Sequence, residues 1–208
     1  MRYLNTKKMP LTSLGSFLAI LIFFICIITS STLYNGSYSP FDNWISDLGS
    51  SSKNPTGYIY FNVGCILTGI SIIISAIGLV RWKTTDHKKN KIIFLSQCCE
   101  VLMALALIMV GIFSEDYGAI HRFWATVFFI LLLIFIAVTN IALKNHINYM
   151  IEIWYYTFIS ITIDLIFMFT FSIGVHLPIL EWLAVLSGLI WLGLIGYNTL
   201  KLEKPQYQ

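Results

Sequence analysis

Charge is what this sequence has least of. Of its 208 residues only 11% are Asp, Glu, Lys or Arg, and 57% are apolar. A soluble domain ordinarily carries about 25% charged residues, so a water-facing globular surface is excluded. A basic domain is also missing. The 13 Lys and Arg residues sit at the edges of apolar runs, and their net charge of +3 makes no nucleic-acid surface. Cys26, Cys65, Cys98 and Cys99 lie within apolar runs and form no Cys-x-x-Cys. That pattern argues against a zinc or disulfide framework and for small buried hydrophobes. There is no His-Glu-x-x-His, no Gly-x-Ser-x-Gly and no phosphate loop. No linker is long enough for a separate soluble domain, and no internal repeat of the inverted-repeat transporter kind is visible.

Six long apolar runs take up the chain instead, at about 11–33, 58–80, 92–113, 120–143, 151–173 and 178–200. Each exceeds the roughly 18 residues that mark a membrane span. Tyr and Trp gather near the run ends, as in an interfacial belt. The expected fold class is all-α: a polytopic six-helix transmembrane bundle, one membrane domain over 1–208, in the cell membrane with lipids as partners. Nothing indicates an oligomer. Arg2, Lys7 and Lys8 precede the first run in signal-peptide order. That run is too long for an h-region and lacks an Ala-x-Ala site, so it is expected to stay as span 1.

The basic residues give an orientation. Arg2, Lys7, Lys8, Arg81, Lys83, Lys88, Lys89, Lys91, Lys144, Lys201 and Lys204 fall on one side, and only Lys53 and Arg122 on the other. A bias of eleven to two predicts cytoplasmic termini and outward loops before spans 2, 4 and 6.

Those outer loops hold the informative residues. Ser39-Pro40-Phe41-Asp42 has the capping chemistry of a helix start. Phe41, Trp44, Ile45 and Leu48 then make one apolar stripe, and Gly49 can end it. A short amphipathic helix over 40–48 is predicted, with Trp44 and Leu48 turned down. The second loop carries Glu115, Asp116, His121 and Arg122.

Counting 1.5 Å per residue places Asp164 roughly 20 Å along span 5, in the outer half of a core about 30 Å thick. His121, Arg122 and Glu181 begin spans 4 and 6 from the same side, and Asn62 lies one turn inside span 2. An outward polar cup follows, with His121 and Asp164 as near neighbours and Glu115 or Asp47 closing the rim. His121 and Asp164, with Glu115, are the candidate catalytic set, since imidazole and carboxylate together can bind metal, move a proton or activate water. No ligand spacing identifies a metal or cofactor. Arg122 suits an anionic headgroup. Equally, Asp164 can pair with Arg122 or His121 to fasten the bundle. Glu100 approaches from the basic side: with Asp164 it could mark a transmembrane proton path, or beside Cys98 and Cys99 it could form a helix contact and pair with a basic side chain such as Lys91 or Lys144.

Ile45-Ser46-Asp47-Leu48-Gly49, then Asn54-Pro55 and Asn62, resemble the uncharacterised six-span membrane proteins known as domain-of-unknown-function family 998. Gly111-Ile-Phe-Ser-Glu115 followed by His121 is similar to that family's loop between spans 3 and 4, with Ser114 where Pro is usual. The resemblance spans about 10–200, with a remoter likeness to the Frag1, DRAM and Sfk1 group, linked with lipid and autophagy biology. It implies the six-span fold and a polar site around Asp47, Asn54, Asn62, Glu115 and His121, without a mechanism. With Arg122 and Glu181, Asp47, Asn54 and Asn62 complete the candidate ligand-binding set. Three functions stand: a protein binding a lipid or small amphiphile in the cup, a metal-dependent lipid headgroup hydrolase, or a proton-coupled carrier or channel.

Overall fold

A computed structural model describes residues 8–202. Of the basic residues used for orientation, Arg2, Lys7 and Lys204 lie outside the described residues. Six helices form: α1 Leu11–Thr32, α2 Tyr58–Gly78, α3 His87–Ile112, α4 Ala119–Leu143, α5 Ile151–Ser172 and α6 Pro178–Lys201. All six are long and apolar enough to cross a membrane. Large apolar side chains such as Leu21, Ile25, Ile28, Phe158 and Phe169 are exposed, as a lipid-facing surface requires.

Helix ends follow local chemistry. Pro178 takes the first turn of α6, where its missing N–H costs nothing. α3 begins earlier than the apolar run at 92, because Asp86 caps it through the N–H groups of Lys88 and Lys89 at 2.8 and 3.3 Å. The helix thus carries its basic first turns beyond its apolar part. The loop helix between α1 and α2 also forms, later and tighter than the stripe predicts. Ser39 starts a turn closed by Asp42 and Asn43, and a 3₁₀ helix spans Ile45–Gly49. Ile45 and Leu48 are buried, but Phe41 is 72% exposed and off the stripe. Asp47 resets the start by accepting the Trp44 N–H at 3.0 Å.

The helices pack as a ring in chain order, with α6 closing on α1 and α4 also touching α6. α1 and α2 meet most closely. A Cβ on Gly15 would strike the backbone of Ser75, and one on Gly78 the backbone of Thr12. Thr12 Oγ1 donates to the Ser75 carbonyl at 3.1 Å, and the Ser16 and Ser75 hydroxyls sit 3.3 Å apart. Small residues that let backbones touch are how helices associate where lipid removes the hydrophobic drive. The α4–α5 seam is the loosest in the ring.

At the end bearing the described termini, Trp82 Nε1 donates to Thr199 Oγ1 at 2.9 Å and Arg81 Nη2 to the Leu202 carbonyl at 2.9 Å. Glu100 does not pair with Lys91 or Lys144. Its carboxyl is fully buried without a hydrogen bond, and the ion pairs among the described residues are both made by Lys53. The lysines stay exposed at the helix ends, where water solvates them better than a deep carboxylate could.

Candidate functional site

The face opposite the termini carries the candidate site. Its foundation is Asn54, which is fully buried. Its Nδ2 donates to the Ser30 carbonyl at 3.2 Å, Ser30 Oγ at 2.9 Å and the Leu48 carbonyl at 3.0 Å, while its Oδ1 accepts the Gly57 N–H at 3.0 Å. One side chain thereby ties α1, the 3₁₀ helix and the entry to α2 together. Asn62 Nδ2 donates to the Gly49 carbonyl at 3.0 Å. Asn54 and Asn62 therefore hold the first loop and line neither of the two pockets described below.

The first loop docks on α6. Glu181 Oε2 accepts the Ile45 N–H at 2.8 Å, and Trp182 Nε1 donates to the Asn43 carbonyl at 3.2 Å. It docks on the second loop through Lys53, whose Nζ donates to Asp47 Oδ1 at 2.6 Å and Glu115 Oε1 at 2.7 Å. Partial burial works against the Lys53 charge, but the two carboxylates outweigh it and raise its pKa above the ordinary lysine range. Asp116 accepts Ser50 Oγ and the Ser51 N–H, both at 2.7 Å. Slight burial pushes its pKa up, and these hydrogen bonds overcome it and hold the carboxyl at about 2. Asp116, though exposed, is a loop clasp.

Between the start of α4 and the end of α5, over the loose seam, lies a groove of about 500 Å³. Ser46, Glu115, His121, Arg122 and Glu181 supply its polar lining, and Trp44, Phe129, Phe167 and Phe171 its aromatic walls. A second, apolar pocket of about 60 Å³ runs inward among α1, α2, α3, α4 and α6. Ser46, His121, Ala125, Phe129 and Glu181 line both. Arg122 is exposed, and its guanidinium makes no hydrogen bond or ion pair among the described residues.

His121 and Asp164 are not brought together. His121 Nδ1 donates to the Phe113 carbonyl at 2.8 Å, and His121 lines both cavities. The Asp164 carboxyl is buried with neither oxygen hydrogen-bonded, and no ion pair joins it to His121 or Arg122. Asp164 lies on the α5 stripe that runs from Thr157 and Ser160, which meet Trp191 Nε1 at 2.9 Å and Ser187 Oγ at 3.3 Å on α6, to Phe167 and Phe171 at the groove, and it lines neither pocket. Asp47, Glu115, His121, Arg122 and Glu181 do gather at this face, and Asp164 stands apart. Among the described residues no group of three or more His, Cys, Asp and Glu side chains is placed to hold a metal ion.

Lys53, Trp44, Phe167, Phe171 and His176 were not singled out by sequence reasoning as site residues. Lys53 carried a signal, as a lysine on the acid-rich side. The α5 phenylalanines carried none, being indistinguishable from lipid-facing ones.

Six apolar spans around a polar distal face define a polytopic α-helical membrane protein. The chain belongs to the family described as protein of unknown function (DUF998), whose model matches residues 17–198. Neither the curated proteins nor the solved structures contain a match.

Proposed function

We propose that this protein binds a lipid or small amphiphile in the distal groove, with the groove facing outward and both termini cytoplasmic. One observation carries the reading: the polar groove and the inner apolar pocket share five lining residues. A head can lie among Ser46, His121, Arg122 and Glu181 while apolar chain follows Phe129 inward or leaves along the loose α4–α5 seam. The groove's size falls within the usual ligand-pocket range of about 300–1,000 Å³. The orientation is supported by the described basic residues, since Lys8, Arg81, Lys83, Lys88, Lys89, Lys91, Lys144 and Lys201 share the termini face and Lys53 and Arg122 the other. No comparable observation favours hydrolysis or proton-coupled transport. Glu100 and Asp164 stand on α3 and α5, which are not neighbours in the ring.

The test is lipid retention. Ala125→Trp puts a bulky ring at the junction of groove and pocket. Extracts of purified wild-type protein should contain bound lipid at a fixed ratio, and the variant should lose most of it while keeping its elution volume and Tm. Equal retention by the two would overturn the reading.

A further inference from the structure

The groove carries two opposite electrostatic features. On one side Trp44 meets Phe171 edge-on, with centroids 6.1 Å apart and planes at 87°. It meets His176 at 6.2 Å and 83°, and Phe167 at 6.5 Å and 56°. Trp44, Phe167, Phe171 and His176 all line the groove, and ring faces in a groove lining can hold a quaternary ammonium group. Glu115, which gives one oxygen to Lys53 and keeps Oε2 buried with no partner, also lines the groove. On the other side is Arg122, whose guanidinium has no carboxylate partner among the described residues. Its planar fork matches a phosphate or carboxylate.

We infer that the groove takes a zwitterionic headgroup, its cationic nitrogen against Trp44, Phe167 and Phe171 and its anionic group on Arg122. This rests on the amphiphile-binding reading. A purely anionic head would leave the aromatic wall and Glu115 facing negative charge. A purely cationic head would face Arg122. A neutral sugar head would use neither feature.

Four dodecyl amphiphiles separate these cases: the phosphocholine, the phosphate, the trimethylammonium and the maltoside. Each is titrated into the full chain in neutral glycolipid nanodiscs, with empty discs subtracted. Dodecylphosphocholine should bind at least about tenfold more tightly than the other three. Arg122→Gln should weaken only the two phosphate-bearing probes, and Trp44→Leu only the two nitrogen-bearing ones. Trp44→Phe should restore most of the nitrogen preference. Arg122 is exposed, so its variant keeps the test available if Trp44→Leu fails to fold. Maltoside binding as tight as phosphocholine, or variants that weaken all probes equally, would overturn the headgroup assignment and leave amphiphile binding standing. No binding by any probe above empty discs would overturn both.

Discussion

Asn54 shows how much one side chain can fix. It uses both amide hydrogens and its carbonyl oxygen on three separate segments. Asn54→Ala leaves the Gly57 N–H without its acceptor in a site closed to water, and Ser30 and the Leu48 carbonyl each lose a donor. An uncompensated buried polar group costs about 1–3 kcal/mol. The expected outcome is a clear drop in Tm in detergent, with Asn54→Asp worse because its oxygen would face two carbonyls. A Tm unchanged by Asn54→Ala would refute this. Asp164 runs the other way. Its carboxyl is buried with no partner, so it opposes folding unless it serves a purpose. Asp164→Leu should raise stability by on the order of 1–3 kcal/mol, read as a higher Tm. A fall in Tm instead would mean that the acid has a partner worth more than its desolvation.

Among the elements, the two distal loops behave as one unit because Lys53 and Asp116 clasp them. Asp116 sits near 2 in the folded protein against an ordinary 3.8. Its contribution is complete above the unfolded value and disappears as pH falls from about 3.8 through 2. Lys53 is raised, so its contribution is complete below the ordinary lysine value near 10.5 and disappears as pH climbs above it. Amide hydrogen exchange over Ser50–Asn54 should stay slow across neutral pH, after correction for the intrinsic exchange rate. Protection should fall at both extremes. Loss of protection between pH 5 and 8 would contradict the clasp. The α1–α2 contact makes a second prediction. Gly15→Ala forces backbones apart and should cost about 1–3 kcal/mol, whereas Leu21→Ala, on an exposed position of the same helix, should stay within about 0.5 kcal/mol. Thermal unfolding of both variants in one detergent checks the contrast.

For the whole molecule, orientation decides which compartment the groove samples. The basic bias predicts Ser51 external and Lys88 internal. In a background with Cys26, Cys65, Cys98 and Cys99 replaced, a membrane-impermeant thiol reagent on intact cells should label S51C and spare K88C. The reverse pattern would turn the protein over and place the groove in the cytoplasm.

Six spans, their order and the polar character of the distal loops were legible in the chain, because the bilayer imposes a length and an apolarity that each run must satisfy alone. Glu115, His121, Arg122 and Glu181 could be assigned to one end for the same reason: depth along a helix is a count of residues. Rotation about the helix axis is not. Asp164 has the depth expected of a cup residue, yet it lines neither pocket and neither of its carboxyl oxygens is hydrogen-bonded. The same holds for Phe167 and Phe171, which became groove walls only when Trp44 was laid against them by a loop that Asp47, Asn54 and Glu181 fold down. Which face each helix turns inward is a sum of contacts from other segments, and tertiary structure alone decides it.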